Sequence, residues 1–129
     1  MKVLEVGSLV KSFILSMSVK EALKGKIFPS VAPDNTMYPF LVYKRTGTSF
    51  EGDKDEYYRY SNATVDLIIV GDSYTQSLDI ASSISDEMPT SFSDNSFYVS
   101  EITLTNASED YVNDAYVQIL TYNLTIDKL

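Results

Sequence analysis

Apolar residues recur at helical spacing in two segments of this chain. In residues 8–24 the apolar positions are Leu9, Val10, Phe13, Ile14, Met17 and Leu23. This spacing predicts an amphipathic helix whose apolar stripe faces a core. Ser8 can cap its N-terminus, and Gly25 can take the left-handed position after its end.

Residues 73–88 predict a second helix. Ser73 and Gln76 fit a capping box at its start, and Pro89 ends it. Its apolar positions are Leu78, Ala81, Ile84 and Met88. Because the other side carries Ser, Asp and Thr, we expect that side to face solvent.

Alternating apolar and polar residues predict four main strands, at 40–46, 57–71, 97–105 and 115–126, and a short edge strand at 27–28. A fifteen-residue strand spans about 50 Å. We therefore expect part of 57–71 to project as a hairpin arm or to bend at a bulge near residues 61–62. The polar segment 47–56 and the acidic segment 106–114 are predicted connections.

These elements follow the order α-(β)-β-β-α-β-β. Short polar connections between neighbouring strands favour hairpins, so we predict an α+β fold. It has a mainly antiparallel four- to five-stranded sheet with two helices packed on one face. No repeat or Pro/Ser-rich linker interrupts the 129 residues, so we expect a single domain over residues 1–129.

The composition restricts the possible chemistry. The chain contains no His and no Cys, which excludes imidazole bases, thiol nucleophiles and Cys-type zinc sites. Asp66 and Glu101 are the two acids placed inside predicted strands, where a carboxylate hydrolase would use them as a pair. The acidic run 53–56 lacks the spacing of a calcium loop and contains Lys54. We expect no metal and no cofactor.

Charge divides the chain into two parts. Residues 1–59 hold nine basic and seven acidic groups, whereas residues 60–129 hold one basic and eleven acidic groups. The second part cannot neutralise phosphates, which disfavours tight binding of nucleic acid. It is either a solvated acidic surface, or a wall that repels DNA or meets a basic partner. The longest apolar stretch, residues 65–70, is interrupted by Asp66 and is too short to span a membrane. No export signal is present, so we expect a soluble cytoplasmic chain.

Several segments carry a resemblance to a known family. They are residues 26–29 (KIFP), 38–43 (YPFLVY), 65–74 (VDLIIVGDSY), 77–81 (SLDIA) and 116–124 (YVQILTYNL). In order and spacing, over about residues 8–127, the chain resembles the tail-completion, or tail-terminator, proteins of long-tailed phages and prophages.

The resemblance implies a non-enzymatic structural role. Such proteins are α+β domains that form a ring, typically hexameric, on the head-proximal end of the tail tube. The implied partners are other copies of the chain, the tail-tube protein and the head connector, with DNA only passing through and no membrane involved. The implied location is the host cytoplasm during assembly and then the virion tail.

Ten tyrosines suggest where contacts lie. Tyr57, Tyr58 and Tyr60 fall on both faces of one strand end, which is typical either of a protein interface or of ordinary sheet tyrosines. Together with the loop 47–56, they give the expected subunit or tube contacts: Phe50, Asp53, Lys54, Asp55, Tyr57, Tyr58 and Tyr60.

Three other functions remain open at this point. The chain could be a small-ligand or regulatory binding domain, which would require a deep apolar pocket with convergent polar groups. It could be another component of the head–tail connector. It could also be a hydrolase that uses Asp66 and Glu101.

Overall fold

The computed structural model describes residues 2–51 and 60–127. A 3₁₀ turn at Lys2–Glu5 leads into three helices and six strands. The helices are α1 Val6–Leu15, α2 Lys20–Leu23 and α3 Tyr74–Glu87. The strands are β1 Ile27–Pro29, β2 Phe40–Glu51, β3 Tyr60–Gly71, β4 Phe92–Ser93, β5 Tyr98–Val112 and β6 Ala115–Asp127.

All six strands form one sheet in the order β1-β2-β3-β6-β5-β4. The α+β class is confirmed, but the sheet is larger than predicted and is mixed. β1 pairs with β2 in parallel, and every other pair is antiparallel. The additional strand is β4, and two residues are too few to show an alternating pattern.

The N-terminal helix is divided in two. The predicted single helix over 8–24 is wrong, and so is the Ser8 cap, because α1 begins at Val6 after Glu5, with no side-chain cap. After Leu15 the hydrogen bonds shorten to i→i+3 spacing, and the Ser16 hydroxyl donates to the Phe13 carbonyl at 2.7 Å. A serine hydroxyl that bonds a carbonyl of the preceding turn competes with the backbone and slightly weakens a helix. Gly25 has φ 75°, as predicted.

Two segments predicted as connections are strand. Residues 47–51 continue β2 and pair with residues 60–64, and residues 106–112 continue β5 and pair with 115–121. Their polar composition suits an exposed strand as well as a loop, because the sheet satisfies the backbone whichever side chains are present. The turn between β5 and β6 is only Asn113–Asp114, both with positive φ (50° and 63°), as in a type I′ hairpin.

The bulge expected near residues 61–62 is also absent. β3 pairs continuously with β6 from Tyr60 to Gly71. The irregularity in the β2–β3 pair lies between Arg45 and Gly47. β5 has two further register shifts, at Val99/Glu101 and Leu104/Asn106.

Helix α3 begins at its predicted cap. The Ser73 hydroxyl accepts from the Gln76 backbone N–H at 3.1 Å, and Gln76 Oε1 accepts from the Asp72 N–H at 2.7 Å. Its buried stripe differs from the prediction, since Leu78 is 40% exposed. Ala81 and Ile84 are buried as predicted, and Met88 packs against the core. Ser77 and Ile80 take the place of Leu78 on the buried side.

The core lies between the helices and one face of the sheet. The inward side chains of β3 are Ala63, Val65, Leu67 and Ile69, and those of β6 are Leu120, Tyr122, Leu124 and Ile126. Both α1 and α3 contribute to this same cluster. The prediction of helices on one face is therefore confirmed, and the other face of the central strands lacks a helix among residues 2–51 and 60–127.

The junction between β3 and α3 leaves no room for a side chain at Gly71. A Cβ there would lie 3.0 Å from the Ser77 backbone nitrogen and 3.1 Å from its Cβ. We expect Gly71→Ala to lower the free energy of unfolding by about 1–3 kcal/mol, since α3 must shift. Gly47→Ala is the control, because nothing lies within 4 Å of a Cβ there. Equal urea midpoints for the two variants would contradict this account.

Tyr122 is buried, and its hydroxyl has no hydrogen-bond partner among the described residues. Burial, with a smaller contribution from the charge of Asp86, raises its pKa to about 12. Because the folded-state pKa lies above the unfolded value of about 10, the folded state holds this proton more tightly, and stability falls as pH rises from about 10 to 12.

We expect Tyr122→Phe to reduce this loss and, by removing an unpaired hydroxyl, to raise stability at neutral pH by about 1 kcal/mol. Chemical unfolding at several pH values measures both effects. Tyr98→Phe, at an exposed position, serves as the control. A Tyr122→Phe stability profile parallel to that of the unsubstituted chain above pH 10 would refute the assignment.

Candidate interaction surface

The face of the sheet opposite the helices is the first candidate; we call it the open face. It consists of the outward side chains of β2, β3 and β6. On β3 these are Asn62, Thr64, Asp66, Ile68 and Val70, all half-buried. The alternation of β3 therefore places its apolar residues on the core side and a mixed set on the open face.

One end of the open face is apolar. Two rows of side chains cross β2, β3 and β6 in register there: Phe40, Val70 and Val117, then Val42, Ile68 and Ile119. Val42 and Val117 are only 6% and 8% exposed. The Tyr38 ring stacks on Phe40 with 5.9 Å between centroids, which extends the apolar surface beyond the strand.

The other end of the open face is polar, and its side chains bond one another across β3 and β6. Thr121 Oγ1 donates to Asp66 Oδ1 at 2.7 Å, and Thr125 Oγ1 donates to Asn62 Oδ1 at 2.8 Å. Asn123 Nδ2 donates to the same Asn62 oxygen at 3.4 Å. These bonds hold the side chains in place, and they account for Asp66 as an acceptor for a threonine hydroxyl.

The sheet has two open strand edges. β1 covers β2 only at residues 41–43, and β4 covers β5 only at residues 98–99. The Ile102 N–H donates to the Thr90 carbonyl at 2.8 Å. Beyond these points, the described part of the chain supplies no strand next to the outer edges of residues 44–49 and 103–112. Such edges expose rows of backbone donors and acceptors.

Two of the predicted contact residues lie at the far end of the β2–β3 hairpin. Phe50 is paired with Ser61, and Tyr60 with Glu51. Phe50 is 46% exposed and Tyr60 is 37% exposed. Because their partners are neighbours on each strand, the two rings point to opposite faces. The other predicted contacts lie outside the described residues and stay predictions: Asp53, Lys54, Asp55, Tyr57 and Tyr58.

A tyrosine cluster that was not predicted lies at the opposite end of the sheet. Tyr111 and Tyr116 face each other beside the β5–β6 turn with 4.9 Å between ring centroids, and Tyr74 at the start of α3 lies 6.2 Å from Tyr116. With Glu109 and Asp110 they line a groove of about 290 Å³. If residues 106–119 had been predicted as a hairpin, Tyr111 would have been paired with Tyr116. The prediction of a connection at 106–114 left the two tyrosines unrelated.

Glu109 sets the electrostatics of this cluster. Tyr74 Oη donates to Glu109 Oε2 at 3.0 Å, and Gln118 Nε2 donates to the same oxygen at 3.2 Å. The hydrogen bond to Glu109, followed by the charge of that carboxylate, raises the pKa of Tyr74. The pKa of Tyr111 is also raised, first by burial and then by the charge of Asp114.

The structure does not bring Asp66 and Glu101 together. Asp66 is level with Thr121 and Glu101 with Thr125, so the two acids are four residues apart along the strands and two strands apart across the sheet. That places their Cα atoms about 17 Å apart, whereas glycosidase carboxyl pairs lie about 5–9.5 Å apart. Glu101 accepts from the Thr103 hydroxyl at 2.8 Å.

Within the described ranges, no group of three acids could hold a metal ion, and no helix is both long and apolar enough to cross a bilayer. A groove of about 410 Å³ lies between the N-terminal helix and the start of the sheet. Its lining mixes charged and apolar groups, among them Glu5, Tyr43 and Arg45.

Comparison with protein-family models and with curated proteins finds no match. Two solved structures are similar. A chain in the virion of a native gene transfer agent particle has a TM-score of 0.68 at 12% identity, with 92% of each chain covered. The bacteriophage SPP1 gp17 protein has a TM-score of 0.54 at 17% identity, with 94% of this chain and 88% of gp17 covered.

The chain shares its fold with phage-type virion proteins. This confirms, at the level of the fold, the resemblance to tail-completion proteins that the sequence indicates. The likeness extends over nearly the whole length of both chains.

We expect Glu109→Gln to lower the pKa of Tyr74 towards its ordinary value, because the neutral amide removes the charge that disfavours the phenolate. Tyrosine-selective NMR titration measures this shift. The control, Asp79→Asn, removes a charge from the exposed side of the same helix. An unchanged Tyr74 pKa in Glu109→Gln would show that the contact does not form in solution.

Proposed function

We propose that this chain is a non-enzymatic structural protein of a phage-type virion, one that caps the tail tube and helps join the tail to the head. The observation that carries the proposal is the structural likeness over 92% of both chains to a component of a phage-like particle. The chain would act as a single domain, without a cofactor. Its partners would be other copies in a ring, expected to be a hexamer, the tube protein and the head connector.

The surfaces of the chain support such a role. A protein that works by assembly needs accessible complementary surfaces. The described part of this chain has two open strand edges and a sheet face that no helix covers and whose side chains are partly accessible. The predicted contacts at the end of the β2–β3 hairpin belong to the same proposal. The ring would form in the host cytoplasm and remain in the virion tail.

The acidic charge of residues 60–129 supports a role in which DNA passes the protein without being bound by it. Residues 60–129 contain eleven acidic groups and one basic group. A surface of one sign repels phosphates over about a Debye length, roughly 8–10 Å at physiological salt. An opening lined by these residues would let DNA move through without being held.

Deleting the coding sequence from the virus or prophage that carries it tests this function. We expect tails of uncontrolled length and heads without tails in electron micrographs, and restoration of normal particles by the intact chain expressed in trans. Heads joined to tails of normal length in the absence of the chain would refute the proposal.

A variant with both Asp66→Asn and Glu101→Gln is the matched test against the hydrolase hypothesis. We expect it to restore particles fully, since neither carboxylate takes part in a reaction under this proposal. Failure of this folded variant to complement would favour a chemical role for these acids. In the deletion experiment, heads that fail to join to tails of normal length would show that the chain is instead another component of the head–tail connector.

A further inference from the structure

The two open edges of the sheet differ in charge. The edge of β2, residues 44–49, begins with Lys44 and Arg45, while the edge of β5, residues 103–112, carries Glu109 and Asp110. All four side chains are exposed, and the one ion pair among the described residues is Lys2–Glu5. We infer that copies of this chain join head to tail, with the β5 edge of one pairing with the β2 edge of the next. The inference rests on the proposed ring.

Strand direction fits this contact. β2 and β6 run one way and β3 and β5 the other, because each neighbouring pair is antiparallel. Rotation about a ring axis carries one copy into the next without reversing strand direction along the axis. The β5 strand of one copy is thus antiparallel to the β2 strand of the next, and the sheet continues its own alternation across the interface.

The charges also match face by face. Lys44 is paired with Asp66 on the open face, and Asp110 is paired with Val117 on that same face. Arg45 is paired with Val65, and Glu109 with Gln118, both on the helix side. Joining β5 to β2 therefore brings opposite charges together on both faces, whereas a two-fold contact between like edges would bring like charges together.

β1 and β4 determine where the contact can form. They cover the start of β2 and the start of β5, which leaves the open parts at diagonally opposite ends of the sheet. Through the strand register, Lys44 is level with Asn106, four residues from Asp110. Because β1 already pairs with Tyr43, the last residue of β5, Val112, can lie no further back than beside Lys44, which shifts neighbouring copies by about six residues, or about 20 Å, along the strands. Lys44 and Asp110 are then diagonal neighbours, a spacing that a long side chain spans.

This stagger is compatible with a closed ring. Four long strands give each copy a width of about 19 Å, so a stagger of about 20 Å corresponds to strands tilted by about 45°. Closed barrels have tilts of about 35–45°. The two short strands thus act as stops that prevent level pairing and select a tilted arrangement.

Complementary charge reversal tests the contact. Lys44→Glu with Arg45→Glu makes both edges acidic, and Glu109→Lys with Asp110→Lys makes both edges basic. We expect each variant alone to self-associate at least about tenfold more weakly, and an equimolar mixture to assemble again with the two forms alternating. Sedimentation velocity and electron microscopy, on the free chain and on the chain bound to tail tubes, measure assembly.

The control variants separate the loss of the proposed contact from a general effect of net charge and from unfolding. Lys20→Glu and Asp79→Lys change charge at exposed positions on the helices and should assemble normally. Asp110→Lys alone leaves the Glu109 bonds to Tyr74 and Gln118 intact and should still weaken association. Circular dichroism confirms that each variant is folded.

Zero-length carbodiimide cross-linking of a mixture of light and isotope-labelled chains identifies the pairing directly. We expect mixed peptides that join Lys44 of one copy to Asp110 of another. Rings that form unchanged in the charge-reversed variants, or whose cross-links lie elsewhere, overturn this contact and leave the proposed function standing. A chain that stays monomeric both free and with tubes overturns both. Cross-links from these residues to the tube protein would show that the tube protein, and not a second copy of this chain, binds the open edges.

Discussion

The pairing of β3 with β6 is the interaction on which the other features of this protein depend. It runs without interruption from Tyr60–Asp127 to Gly71–Tyr116 at the centre of the sheet. Because side chains alternate along both strands, this one register assigns the apolar set to the helices and Asp66, Asn62 and their threonine partners to the open face. A slip of one residue would exchange the two faces and expose the core.

The parts of the fold that sequence could predict are those where burial leaves a period. The stripe of α1, the alternation of β3 and the Ser73 cap all follow from contacts with the core or with the local backbone. Residues 47–51 and 106–112 could not be recognised as strands from the sequence. The described side chains among them are exposed or half-buried, so burial selects no alternation of apolar residues. Their pairing comes from neighbouring strands that are buried, which is tertiary information.

The need for tertiary information also explains which residues of the candidate surface were predicted and which were missed. Tyrosines on both faces of one strand end led to the expected contacts at the end of the β2–β3 hairpin, and these contacts stay a prediction. The cluster of Tyr74, Tyr111 and Tyr116 was missed, since it forms only when the Asn113–Asp114 turn brings β5 back along β6 and α3 starts beside them. The open edges could not be predicted from the sequence either, because a strand is an edge strand only when no other strand lies beside it in the folded sheet.

Open edges are a hazard for a monomer, and this chain restricts them in two ways. Short strands cover the first few residues of each edge strand, and charged residues lie on the uncovered part, a device that prevents unwanted pairing between sheets. The sign of the charge adds selectivity: edges of the same kind repel, while edges of opposite kind attract. Under the proposed function, such a chain would stay monomeric at low concentration and would pair with its own copy once a tail tube held several copies at one end, because the local concentration there would favour the staggered contact over solvent.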